Sequence, residues 1–235
     1  MLGVGSRRTC DELILSGRVT VNKQRVSEPG LQVLPGETTV TVDGRPVGGI
    51  QKSVVLILNK PQGVVSTVSD PMHRPTVVDL CKPLASGQRL FPVGRLDINT
   101  TGAILLTNDG LLCYRLTHPR FEIPRTYLAR VRGEVSEDKL AMLDQLSRPR
   151  RPGLGEEEKR TRVELIKTVK RESILRITLS EGKNRQVRRM CEAAGLKILS
   201  LKRIRFGPLT IRKLPLGGVR FLSKDEIASL KKITQ

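Results

Sequence analysis

The stretch Val93-Gly94-Arg95-Leu96-Asp97-Ile98-Asn99-Thr100-Thr101-Gly102 has apolar chain on both sides. Phe91 and Val93 lead into it as a short apolar run. Ala103-Ile104-Leu105-Leu106 follow it with the length and turn boundaries of a buried strand. A tight polar segment is therefore held between two pieces of interior, and it presents one carboxylate, Asp97, close in sequence to one guanidinium, Arg95. Glycine at both ends permits unusual backbone angles and the close approach of another molecule. The same residues also describe a plain turn, with Asp97 capping backbone amides and Arg95 in solvent. The rest of the chain has to separate the two readings.

Charge is the first discriminator. Across 235 residues, 42 Lys and Arg stand against 23 Asp and Glu, a net charge of +19. Such an excess favours a polyanionic partner, and nucleic acid is the leading candidate. No apolar run approaches the roughly 18 residues of a membrane span, and the start shows no signal-peptide pattern. A membrane partner is therefore not expected. Cys10, Cys81, Cys113 and Cys191 are far apart and the only histidines are His73 and His118. Neither a metal site nor a disulfide framework is expected, and reduced thiols in the cytoplasm are the default, with an organelle left open. With four Phe, two Tyr and no Trp, a platform of stacked aromatics is excluded as the main way of holding RNA. Tyr127 or an arginine plane has to do that stacking.

Outward from the central stretch, helical spacing over Ser6–Ser16 predicts a capped helix with Arg7 and Arg8 in its first turn. That is the unfavourable end for a cation, unless a phosphate lies near. Short strands are expected around Val19–Val26 and at Thr39–Val42, and Gly48-Gly49 reads as a linker. Val54–Leu58 is a buried-type strand, expected to stop at Asn59-Lys60-Pro61-Gln62-Gly63 with Lys60 as a cation at the lip of the turn. Arg125–Val131 alternates as a strand with Tyr127 on its apolar face. A helix capped by Ser136 is expected to turn Leu140, Leu143 and Leu146 inward. The segment 148–160 reads as a charged surface excursion, and strands are expected near 161–167 and 173–179. Val187, Met190, Cys191 and Ala194 recur at i, i+3, i+4 and i+7 before Gly195, which marks an amphipathic helix. Arg185 and Arg189 share its exposed face, whereas Arg188 lies at the edge of the apolar stripe, where an arginine usually seeks a buried acid. Between Lys183 and Lys213 ten Lys or Arg accompany one acid, so the charge is concentrated in a patch.

Three of these motifs in order resemble a known family. Gly94-Arg95-Leu96-Asp97 with Thr100, Gly102 and the aliphatic strand is similar to the catalytic motif of pseudouridine synthases. Leu58-Asn59-Lys60-Pro61-x-Gly63 upstream, and Glu181 to Met190 downstream, resemble the branch acting on ribosomal RNA. Ser6–Val42 resembles the small S4-like, or alpha-L, RNA-binding module of that branch. The resemblance implies an α+β chain. Residues 1–48 would be the S4-like module, starting without its usual first helix, and 54–235 a catalytic domain with a mixed, largely antiparallel sheet flanked by helices. It implies isomerisation of a uridine in ribosomal RNA by a monomer, without cofactor or metal. Asp97 would act at the ribose, Arg188 would be its basic partner, and Tyr127 would stack on the base. Arg95 would fill the gap left by the flipped uridine, with Lys60, Arg185, Arg189 and the 197–213 run on phosphates and Arg7 and Arg8 also on RNA. A nearby arginine supplies the opposite charge that such a carboxylate needs in a pocket that excludes water. Arg125 stands where the family usually has lysine. The competing reading is a binding-only ribosome-assembly factor, which would have no need of Asp97, Arg188 and Tyr127 together.

Overall fold

Ser6 caps the first helix as its sequence dictates: its side chain accepts a hydrogen bond from the Thr9 amide (3.0 Å), and α1 runs Arg7–Leu15. This computed structural model describes residues 4–34, 37–47, 52–147 and 162–234. The expected Gly48-Gly49 linker and the 148–160 excursion lie outside the described residues. Beyond α1, strands β1 (Val19–Val21), β2 (Gln24–Val26), β3 (Val40–Val42) and β4 (Arg45–Pro46) form an antiparallel sheet in the order β2-β1-β3-β4. Asn22 and Lys23, both at positive φ, make the first hairpin turn. Arg18 ties the start of β1 to the second hairpin by a two-pronged bond to Asp43. Contacts divide the chain into this unit, Met1–Ser53, and a larger one, Val54–Gln235.

The larger unit is built on one long sheet. Its strands are β5 (Val55–Lys60), β6 (Phe91–Val93), β7 (Thr100–Thr107), β8 (Arg125–Arg132), β9 (Arg162–Val169), β10 (Glu172–Leu179), β11 (Ile198–Phe206), β12 (Leu209–Thr210) and β13 (Val219–Phe221). The order is β13-β5-β7-β11-β8-β10-β9, with β6 on β7 and β12 on β11. Every pairing is antiparallel except β7 with β11. The central strands are apolar on both faces because both are covered. Val55 and Ile57 pack on one side with helix α3 (Gly110–Thr117) and α6 (Lys224–Lys232), while Leu56 and Leu58 pack on the other with α2 (Val77–Ala85). That double burial is why these strands read as continuous apolar runs. Helix α4 (Glu137–Ser147) and α5 (Gln186–Ala193) cover the far half of the sheet. Among the described residues, no helix is long and apolar enough to cross a membrane.

Two expectations are corrected here. Leu146 is exposed, and the inward face of α4 is Leu140, Leu143 and the buried Ser147, the i, i+3, i+7 set that a helix can present to one side. Lys60 is not at a lip. Strand β5 continues through Asn59 and Lys60, pairing Lys60 with Gly102, and the lysine is fully buried.

Candidate active site

The second edge of β7 is shared, and this positions the 94–99 segment. Residues 105–107 pair with β6 while 100–102 pair with β11. The chain leaves β6 at Val93, crosses as a loop, and re-enters the same sheet at Thr100 beside β11. Several bonds fix the loop from beneath. The Ser66 hydroxyl donates to the Leu96 carbonyl (2.8 Å) and accepts from the Leu96 amide (3.1 Å). The Thr100 amide donates to the Asp97 carbonyl (2.9 Å) and the Gly63 amide to that of Ile98 (3.0 Å).

Lys60 belongs to this underpinning. Its Nζ donates to the carbonyls of Pro61 (2.9 Å), Val64 (2.8 Å) and Ile98 (3.4 Å). A buried ammonium must saturate its donors in this way, and none remains for a phosphate. Burial pushes its pKa down to about 8, against the opposing pull of the Asp97 charge. The lysine thus clamps the turn after β5 to the loop that carries Asp97.

Helix α5 closes the site from the opposite side. Val187, Met190 and Cys191 bury its apolar stripe, so Arg188 is held at the stripe edge with its side chain 19% exposed. Its Nη2 donates to the Asn99 carbonyl (3.1 Å) and the Thr100 hydroxyl (3.2 Å). Its Nε, buried and without a hydrogen-bond partner among the described residues, lies 3.6 Å from Asp97 Oδ2. That is ion-pair distance but longer than a hydrogen bond. Arg185, in a left-handed conformation at the helix start, places Nη1 3.9 Å from the same oxygen. Asp97 therefore sits between two guanidinium groups, with a third of its side chain still accessible.

The space in front of it is a cavity of about 530 Å³, within the range of small-molecule sites. Asp97, Tyr127, Arg188, Arg185 and Arg95 all line it. Tyr127 is half-buried on β8, packed between two of the core clusters. Arg95 is exposed on the loop and Arg189 on the outer face of α5. Arg7 and Arg8 are exposed at the start of α1. Lys60, expected at the surface, is withdrawn from it. Arg125 on β8, marked in the sequence only as standing where lysine is usual, and Arg203 on β11 also line the cavity, and they are 8% and 2% exposed. Arg203 was expected among the surface cations of the 197–213 run, and burial removes it from them. Lys197, Lys202, Arg205, Arg212 and Lys213 are exposed.

A carboxylate close to two arginines and lining a cavity, in a strongly basic chain, fits an RNA-directed enzyme. Sequence comparison agrees. The model of the family described as RNA pseudouridylate synthase matches residues 54–193, and that of the S4 domain matches residues 1–38. An uncharacterized RNA pseudouridine synthase of Mycobacterium bovis is 40% identical over 97% of this chain and 89% of its own length. The ribosomal large subunit pseudouridine synthase B of Bacillus subtilis is 39% identical over 97% and 91%. A crystal structure of a pseudouridylate synthase superposes with a TM-score of 0.65 at 29% identity, covering 96% of this chain and 94% of the other. The chain belongs to the RNA pseudouridine synthases, enzymes that isomerise uridine in RNA, and carries an S4 domain at its N-terminal end.

Proposed function

We propose that this chain converts a uridine of large-subunit ribosomal RNA to pseudouridine. Residues 1–48 would serve as the S4-like RNA-binding module and 54–235 as the catalytic domain. Asp97 acts at the ribose, either on the anomeric carbon or on the proton beside it. Arg188 pairs with and orients the carboxylate, and Tyr127 stacks on the base. The observation that carries this reading is the placement of Asp97 Oδ2 within 4 Å of Arg188 and Arg185 in a cavity that Tyr127 also lines. A base within a helix cannot reach such a site, so the uridine must swing out at a cost of about a few kcal/mol. Arg95, exposed on the rim, offers a guanidinium plane to replace the lost stacking. Choice of the large subunit rests on the similarity to the Bacillus subtilis enzyme. A cytoplasmic setting is supported by four free thiols.

Mapping of carbodiimide-marked pseudouridines in ribosomal RNA, from cells with and without the protein, tests the assignment. One large-subunit mark should vanish with the gene and return with it. Unchanged marks, or loss only in the small subunit, would overturn the proposed substrate.

The phosphate contacts carry a separate expectation. Each one released should reduce the log–log salt slope of RNA binding by about 0.7–0.9. Arg189→Ala, which removes an exposed cation, should flatten the slope by about one such step with folding unchanged. An unaltered slope would show that the outer face of α5 does not meet RNA.

A further inference from the structure

Beneath the catalytic loop the cavity floor holds two buried arginines with no carboxylate between them. Arg203 is 2% exposed. Its Nε donates to the Ala103 carbonyl (2.6 Å), and its Nη2 is buried without a hydrogen-bond partner among the described residues. Arg125, one strand away, donates through Nη2 to the Leu116 carbonyl (3.2 Å). Both guanidinium groups lie over the ring of Phe206, at 5.1 and 5.4 Å from its centre. Glu181, the other carboxylate lining the cavity, is taken by Lys183 at 2.6 Å. Burial, and then the charge of Arg203, push the pKa of Arg125 down. Two cations stripped of water and left side by side are costly unless something anionic arrives.

Strand register says what that is. Arg203 pairs directly with Tyr127 on β8, and with Gly102 at the end of the catalytic motif on β7. A base stacked on Tyr127 therefore lies above Arg203. When the C1′–N1 bond breaks, its electron pair leaves on N1 and spreads to O2 and O4 of the ring, whichever way Asp97 acts at the ribose. The detached base is an anion until its electron pair forms the C5–C1′ bond; the C5 proton then departs and N1 takes one up, so that composition is unchanged. We propose that Arg203, with Arg125 behind it, is an electrostatic catalytic residue that stabilises the detached uracil anion. The proposal rests on the pseudouridine-forming reading above and adds a role on the base side of the bond.

The test compares uridine with 5-fluorouridine at the target position, in single-turnover cleavage of the C1′–N1 bond. Fluorine withdraws electrons and makes the departing base a weaker base, so less help from the protein is needed. Arg203→Gln is expected to slow uridine cleavage by about 10²–10³-fold, the loss typical of removing one preorganised donor. The loss should be clearly smaller on 5-fluorouridine, with the affinity for RNA unchanged. Arg203→Lys, which keeps the charge, should recover part of the rate. Both substrates are read on the same preparation, so partial unfolding cancels from their ratio. Arg125→Gln leaves the Arg203–Ala103 bond in place and should show the same substrate dependence. Equal losses on both bases in both variants would make the pair structural. A weakened affinity at an undiminished cleavage rate would make it a phosphate contact. Either result overturns the proposal and leaves the assignment of Asp97 standing.

Discussion

Asp97→Asn is expected to lose pseudouridine formation by about 10⁴-fold or more, the scale of loss when a group that attacks the substrate or takes its proton is removed. Asparagine keeps the size and hydrogen-bonding shape of the side chain, but it has neither the nucleophilic oxygen nor the basicity. Affinity for RNA should hold or rise, because one negative charge leaves a site that Arg185 and Arg188 border at 3.9 and 3.6 Å. Two measurements separate the effects: single-turnover formation of pseudouridine in a target RNA fragment, and filter binding of the same fragment. Conversion at the wild-type rate would remove Asp97 from the chemistry. Loss of binding in parallel with loss of rate would instead point to a collapsed loop, since the bonds from Ser66, Lys60 and Gly63 use loop backbone, not the carboxylate.

What the sequence made legible here was local. The stripe Val187, Met190, Cys191, Ala194 repeats within one short helix, so its period alone predicted the buried face and set Arg188 at its edge. The Val93–Gly102 segment was legible for a similar reason, as its glycines and flanking apolar runs are contiguous. Lys60 was misjudged because its burial depends on residues far along the chain. A lysine before a proline is ordinarily a solvated turn residue, and the pairing with Gly102 and the Ile98 carbonyl, both distant in sequence, help to draw it inside. Arg203 was hidden among neighbours of the same charge. Alternation gave a signal that could have been used: Leu201 and Arg203 share the inward parity of β11, while Lys202 points out. Parity alone would also have turned Arg205 inward. An irregularity in the pairing with β8 between Arg203 and Arg205 turns that residue out and brings Phe206 in. Nothing in a run of basic residues announces such a shift.

The largest stability effect should come from Gly102→Ala. Gly102 has φ +108, where an L side chain is strained, and it pairs with Arg203 across the parallel junction of β7 with β11. A Cβ built there overlaps the Arg203 carbonyl oxygen and comes within 2.7 Å of the Arg203 amide nitrogen. The obstacle is main chain in the middle of a sheet, which cannot rotate aside as a side-chain tip would. Backbone strain of about 1–3 kcal/mol and an overpacking cost of similar size add to about 2–6 kcal/mol. In a chain of this length that corresponds to a fall in Tm of roughly 10 °C. Gly133→Ala is the control, because φ is +86 there and a Cβ would meet nothing within 4 Å. It should carry strain alone, about 1–2 kcal/mol. The difference between the two variants in thermal or urea unfolding isolates the collision between β7 and β11. If Gly102→Ala were no more destabilising than Gly133→Ala, the close approach of those strands would have no energetic weight. The loop that carries Asp97 would then owe its position to the bonds beneath it and to Arg188, not to the strand on which it ends.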